Sequence, residues 1–252
     1  MAIVKTKEEI RHIASAGEIV GAVLRRLKND AKEGVNLLTL EVTAKRLIEE
    51  AGAKPSFLGY MPGGAVKPYP AVLCTSINDV IVHGVPSNYR LKNGDILKLD
   101  LGAVVKGYHA DAAITVAIGQ IGKKETALIA ATEEALHRGI AAAKPGNRLG
   151  DIGHAIQSYI RKQKLFIAEG LTGHGIGQEL HEDPSVHNTG KKGTGMFLKE
   201  GMTLAIEPMV AMGTSKMTKR EDDSYATRDG SMSAHFEHTI VIEEAGARIL
   251  TL

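Results

Sequence analysis

The sequence predicts an α+β fold, with helices packed on one face of a mostly antiparallel sheet. Two observations carry that expectation. Amphipathic helical periodicity comes in pairs, near residues 7–51 and 124–164, and each pair is followed by a run of strand-like alternation. The order helix, helix, strands is therefore written twice, which predicts two similar halves at about 1–120 and 121–252. No linker-like stretch separates them, so a single domain spanning 1–252 is expected.

The first helix is announced by Thr6-Lys-Glu-Glu9, which has the form of a capping box. Ile10, Ile13, Ala14, Gly17, Val20, Gly21, Leu24 and Leu27 follow at helical spacing. A second helix is expected from about Leu40 to Ala51, with Gly52 ending it. The stretch from Gly59 to Pro70 is crowded with Pro and Gly and reads as a surface loop. Residues 71–119 read as strands. Lys98 and Asp100 share one strand face, Lys106-Gly107 marks a turn, and Asp111, Ala113 and Thr115 share one face of the returning strand. An Ala-rich helix then ends at Lys144-Pro-Gly146, and Leu149, Ile152, Ile156 and Tyr159 lie in register on a fourth. From Phe166 onward the pattern is strand-like with Gly-rich turns.

Composition narrows the function classes. With 252 residues, 43% hydrophobic and 24% charged, disorder and fibrous repeats are excluded. Thirty-one basic against 29 acidic residues are interspersed and leave no nucleic-acid footprint. No apolar run is long enough to span a membrane, and Met1 leads straight into charged residues without a signal core. Cys74 is the sole cysteine, which rules out an internal disulfide and suits a reducing cytoplasm.

Several chemistries fail on spacing. Gly173-His-Gly-Ile-Gly177 is not a dinucleotide fingerprint, and neither a phosphate loop nor a Gly-x-Ser-x-Gly elbow is present. His181 and His187 are six apart rather than four, with Pro184 between them, which excludes a zincin helix. What remains is a set of acids. Asp100 and Asp111 lie on neighbouring strands joined by a short turn; alone, they read as two solvated strand aspartates. Three further residues change that reading. His174 is flanked by glycines, Glu207 precedes Pro208 at a strand end, and Glu237 sits in the strand pattern from Ala234 to Ile242. Four ionised carboxylates carry −4 and two divalent cations carry +4, so two Asp, two Glu and one His offered from strands suit a cation pair.

The segments Val82-His-Gly-Val-Pro86, Lys98-Leu-Asp-Leu101, His109-Ala-Asp111, Gly173-His-Gly-Ile-Gly177 with His181, Ile206-Glu-Pro208 and Phe236-Glu-His238 together resemble the methionine aminopeptidases, end to end. The short His181–Glu207 interval and the absence of an N-terminal extension resemble the bacterial type I form. The resemblance implies the pitta-bread fold with internal pseudo-twofold symmetry. It implies that Asp111 and Glu237 bridge two divalent ions (Co, Mn, Fe or Zn), that Asp100 binds one, and that His174 and Glu207 bind the other. It further implies Glu207 as general base, His181 at the oxyanion and His83 at the scissile amide, with Tyr60, Tyr69 and Cys74 lining the substrate cleft. A Cys74 nucleophile beside His83 is a poorer reading, because the cation site already supplies one. Implied partners are peptides and nascent chains with N-terminal Met, at the ribosome, for a cytoplasmic monomer that acts on neither nucleic acid nor membrane. Lys98, Leu180, the lack of tryptophan and the long 59–70 loop depart from the family pattern. Lys98 is expected to pair with a carboxylate or reach solvent. Rival readings are a proline-directed aminopeptidase or dipeptidase of the same fold and a non-catalytic peptide-binding module.

Overall fold

The computed structural model describes residues 4–61 and 67–252; of the Gly59–Pro70 loop, residues 62–66 lie outside the described part. The chain runs α1 (Lys7–Asp30), α2 (Leu37–Glu50), β1 (Lys54–Pro55), β2 (Leu73–Ile77), β3 (Val80–Val82), β4 (Ile96–Val105) and β5 (Tyr108–Ala117). The second half repeats the order with α3 (Lys123–Ala142), α4 (Leu149–Lys162), β6 (Phe166–Ile167), β7 (Thr172–Gly175), β8 (Glu182–His187), β9 (Thr203–Ile206) and β10 (Met209–Ala211). It continues with β11 (Met217–Lys219), β12 (Tyr225–Thr227), β13 (Ser233–His235), β14 (Glu237–Glu243) and β15 (Gly246–Ile249). The main sheet has the order β1-β4-β5-β14-β9-β7-β8, with β2 beside β4 and β15 beside β14. It crosses from one half to the other where β5 pairs with β14, antiparallel like its other pairings.

Local chemistry explains the boundaries. Thr6 and Glu9 form the expected reciprocal cap of α1. The second helix starts at Leu37, not Leu40, because the Asn36 side chain accepts a hydrogen bond from the Leu38 amide at 2.9 Å. Residues 71–119 are not continuous strand. The segment 83–95 is loop, punctuated by Gly84, Pro86 and the Asn93-Gly94 turn. Lys106 and Gly107 both take positive φ, 51° and 82°, and close the β4–β5 hairpin. The expected strand from Ala234 to Ile242 breaks at Phe236, since β13 belongs to a small sheet with β10 and β6 while β14 belongs to the main sheet.

The two helix pairs cover matching parts of the sheet. Val20, Leu24 and Leu27 of α1 with Leu40 and Ile48 of α2 pack on Leu97, Leu99, Leu101 and Ala112. Leu128 and Leu136 of α3 with Ile152 and Ile156 of α4 pack on Leu204, Ile206, Ile240 and Ile242. Between His181 and Glu207 the described chain holds β8, turns and β9, without a helix.

The C-terminal residues lie so close to α1 that a Cβ on Gly17 would overlap the Leu250 carbonyl oxygen. Gly17→Ala would gain about 1 kcal/mol of helix propensity, but the obstacle is backbone and overpacking costs about 1–3 kcal/mol. A net loss of stability is expected in urea unfolding, whereas Ser15→Ala, on the exposed side of the same helix, should stay within about 0.5 kcal/mol. A Gly17→Ala protein as stable as wild type would refute this packing.

Candidate metal centre

Strand register, not proximity in sequence, assembles the acidic residues. Across the β4–β5 hairpin Asp100 faces Ala113 and Gly102 faces Asp111. Residues directly opposite in a ladder share a face, so both carboxylates emerge on the side away from α1 and α2. Glu237 faces Ala113 from the other side and joins them. Ala205 faces both Thr239 and His174, which brings the imidazole onto that same side. Glu207 follows β9 where the chain leaves the main sheet for β10, and Glu237 begins β14 where the chain enters it from β13. The two glutamates therefore stand at adjacent points where strands change sheet.

Ligand atoms of Asp111, His174 and Glu237 lie within 4.8 Å of one another. His174 Nε2 is 3.5 Å from Asp111 Oδ2, 3.6 Å from Glu207 Oε1 and 4.0 Å from Glu237 Oε1. Its Nδ1 lies 2.9 Å from the Gly175 carbonyl, an acceptor only, so Nδ1 carries the proton and Nε2 offers its lone pair to the acids. Burial lowers its pKa to about 4, which keeps the ring neutral. Asp100 is near enough for its charge to act on Glu207 and Glu237.

Such a cluster resists ionisation. Burial, followed by the charge of Asp111, pushes Asp100 and Glu207 well above the ordinary carboxylate range. Glu237 is raised by burial and then by Asp111, Glu207 and Asp100. Asp111 is raised to about 6 by burial, although His181 and the Thr239 hydroxyl, 2.9 Å from its Oδ1, pull the other way. The buried Oδ1 of Asp100 has no hydrogen-bond partner among the described residues. Oxygen donors with one imidazole nitrogen, and a charge that only cations can balance, fit divalent metal ions. The reading of Asp100 and Asp111 as solvated strand aspartates fails, because they are 8% and 2% exposed.

A cleft of about 810 Å³ opens over the acids, lined by His83, His181, Tyr60, Tyr69, Cys74 and Leu180 among others. All of the substrate-facing residues expected from sequence thus reach it. His181 stacks edge-on against His174 with ring centroids 4.3 Å apart, and its Nδ1 is 2.5 Å from the Tyr60 hydroxyl. Enclosure lowers its pKa to about 4 even though the ring stays open to the cleft. His83 holds φ at +62°, a conformation side chains rarely adopt, and faces the ring of Tyr225 across 5.9 Å. The Tyr69 hydroxyl donates to backbone carbonyls rather than into the cleft, lying 3.0 Å from Gly84 O. Cys74 is buried, and burial with the nearby Asp100 charge pushes its thiol pKa up, opposite to what a thiolate nucleophile needs.

Two sequence expectations need correction. Lys98 neither pairs directly with a carboxylate nor reaches solvent. It is 1% exposed and its Nζ donates to the Asn78 carbonyl at 2.7 Å. The reason is register: β2 pairs beside β4 with Ser76 opposite Lys98, which brings the Asn78 carbonyl just past the end of β2 within reach of its Nζ. Sequence reading also missed His235, which is 1% exposed with Nε2 3.5 Å from Glu207 Oε2. Its position two residues before Glu237 was the available signal, since period two carries it toward the same side.

Comparison with known proteins agrees with this geometry. The chain is 45% identical over 254 residues to the methionine aminopeptidase of Clostridium acetobutylicum, covering all of this chain and 99% of that one. It is 44% identical to methionine aminopeptidase 1 of Mycobacterium tuberculosis, covering 97% of this chain and 92% of the other. Its fold superposes on the crystal structure of the Thermotoga maritima methionine aminopeptidase with a TM-score of 0.95 at 40% identity, covering 100% and 99% of the two chains. It also matches the prolidase of Pyrococcus furiosus with a TM-score of 0.79 at 27% identity, covering all of this chain and 66% of that one. The fold is the pitta-bread fold these proteins share. Residues 11–244 match the metallopeptidase family M24, and the chain belongs to that family.

Proposed function

We propose that this protein removes the N-terminal methionine of peptides and nascent chains by hydrolysing the first peptide bond at a centre of two divalent cations. The observation that carries the reading is the convergence of Asp111, His174 and Glu237 within 4.8 Å beneath an open cleft. It is joined by full-length likeness to proteins named methionine aminopeptidase. Asp100, Asp111, His174, Glu207 and Glu237 would hold the ions, which the donor set suits as Co, Mn, Fe or Zn. Cations held there supply Lewis-acid polarisation of the scissile carbonyl and a water acidic enough to react near neutral pH.

The residues of the chain do the rest. Glu207 accepts a proton from the attacking water on a carboxylate oxygen and returns it to the leaving amine nitrogen as the C–N bond breaks. The Tyr60 hydroxyl lies 2.5 Å from Nδ1 of His181; donating there, it would leave the proton on Nε2 to be donated to the carbonyl oxygen as it gains charge. His174 and His181 would then stand in opposite tautomers, one offering a lone pair and the other a hydrogen. His83 holds the scissile amide. Tyr60, Tyr69, Cys74 and Leu180 wall the space for the first side chain, and the substrate's free amino group would bind at the cation centre that the acids hold, which limits action to the first residue. The chain acts as one catalytic unit of pseudo-symmetric halves, 1–120 and 121–252. We place it in the cytoplasm as a monomer that meets nascent chains at the ribosome; a single buried thiol and near-neutral charge favour this over a secreted or nucleic-acid-binding role. No helix among the described residues is long and apolar enough to cross a membrane.

Met-Ala-Ser should be cleaved in the presence of Mn²⁺ or Co²⁺ and Xaa-Pro peptides left intact; the reverse preference would favour a proline-directed enzyme. Asp111→Asn and Glu237→Gln should abolish turnover while folding survives, and wild-type rates in either would contradict their assignment. His181→Ala should lower kcat by roughly 10²–10³-fold with KM little changed.

Metal and pH should also be linked. Carboxylates whose folded pKa is raised contribute stability that is fully present below their unfolded values, 3.8 for Asp and 4.5 for Glu. That stability is lost as pH rises through the folded values, about 6 for Asp111, with Asp100, Glu207 and Glu237 also raised by burial. Metal-free protein should therefore lose stability from about pH 4 upward through pH 6 and beyond. Added Mn²⁺ should raise Tm more at pH 7.5 than at pH 5, and equal shifts at both would refute the electrostatic account.

A further inference from the structure

His235 stands outside the donor set and outside the cleft chemistry assigned above, yet it is placed as firmly as any ligand. Its main chain is locked to Thr115: the His235 amide donates to Thr115 Oγ1 at 2.9 Å, and that hydroxyl donates to the His235 carbonyl at 2.6 Å. Its Cα is paired with Met209, two residues past Glu207 on the adjoining strand. The residue is 1% exposed, and neither ring nitrogen has a hydrogen-bond partner among the described residues. Leaving a buried polar group unpaired is costly, so such an imidazole requires an explanation.

Glu207 supplies one. Its Oε1 is 3.6 Å from His174 Nε2 and its Oε2 is 3.5 Å from His235 Nε2, so the carboxylate lies between two imidazoles. Its main-chain carbonyl is held independently by the Asn188 side chain at 2.9 Å. An ionised carboxylate only accepts, so the proton in any hydrogen bond with His235 belongs to Nε2. At 3.5 Å that bond is not yet formed, and such contacts tighten when an active centre is loaded.

We propose that His235 is a positioning residue: its Nε2–H holds the rear oxygen of Glu207 and keeps the front oxygen turned toward His174 and the bound cation. The inference rests on the reading of Glu207 as a cation ligand and proton carrier. Groups that orient metal ligands in this way typically contribute 10–100-fold to metal affinity or activity.

The test compares wild type with His235→Gln, whose amide keeps an N–H donor at similar reach, and His235→Leu, which removes it. Mn²⁺ affinity is measured by calorimetry, and kcat and KM with Met-Ala-Ser. Leu should weaken Mn²⁺ binding by about 10–100-fold and depress kcat by at least about 10-fold, with KM within about threefold. Gln should restore both to within about threefold of wild type; a merely space-filling role would not separate the two variants in this way. Should the Leu protein fail to fold, His235→Ala removes the donor with less bulk and takes its place. Wild-type affinity and kcat in the donor-less variant, or Gln no better than it, would overturn the proposal. A wild-type protein that binds no Mn²⁺ would instead overturn the metal-centre reading, and this inference with it.

Discussion

The structure turns on electrostatic repulsion confined to one face of a sheet. Four carboxylates and a neutral imidazole occupy a space where three ligand atoms already fall within 4.8 Å of one another, and solvent is largely shut out. Burial and mutual charge both oppose ionisation, and the raised pKa values of Asp100, Asp111, Glu207 and Glu237 express that opposition. A protein can keep such a grouping only if the backbone beneath it is over-determined. Here it is: the acids ride on a sheet whose opposite face is filled by four helices, so no carboxylate can retreat without moving a strand that is packed on its other side.

The same constraint explains the use of two halves. A hairpin of the first half contributes Asp100 and Asp111, and strands of the second contribute His174, Glu207 and Glu237. Their meeting line is the β5–β14 pairing, two residue pairs long, with Glu237 in it. Side-chain period two does the sorting next to the ligands: Leu99, Leu101, Ala112 and Ile240, each an odd step from an acid, enter the apolar core while the acids face the cleft. At Glu207 and Glu237 the strands also change sheet, which turns both glutamates inward and brings His235 behind them. The tautomer of His174 follows from a single neighbour, the Gly175 carbonyl beside its Nδ1.

Much of this was legible in the sequence because it depends on short-range rules. The Thr6–Glu9 cap, the Lys106-Gly107 turn and the helix faces follow from local periodicity and turn chemistry. The acids stood out because charged residues in apolar strands need a reason. What failed was long-range. The placement of Lys98 against the Asn78 carbonyl depends on β2 pairing beside β4, which no local pattern announces. The break at Phe236 depends on which sheet each flanking strand joins, and alternation reads the same on both sides of it. His235 was overlooked because a histidine in a strand pattern carries no signal until its neighbours are known.

The most direct measurement of the central claim is anomalous diffraction from crystals grown with Mn²⁺. The account requires strong anomalous peaks within coordination distance of Asp111 and Glu237, with His174 Nε2 among the ligands. Crystals that keep these side chains in place but show no peak beside them would contradict it.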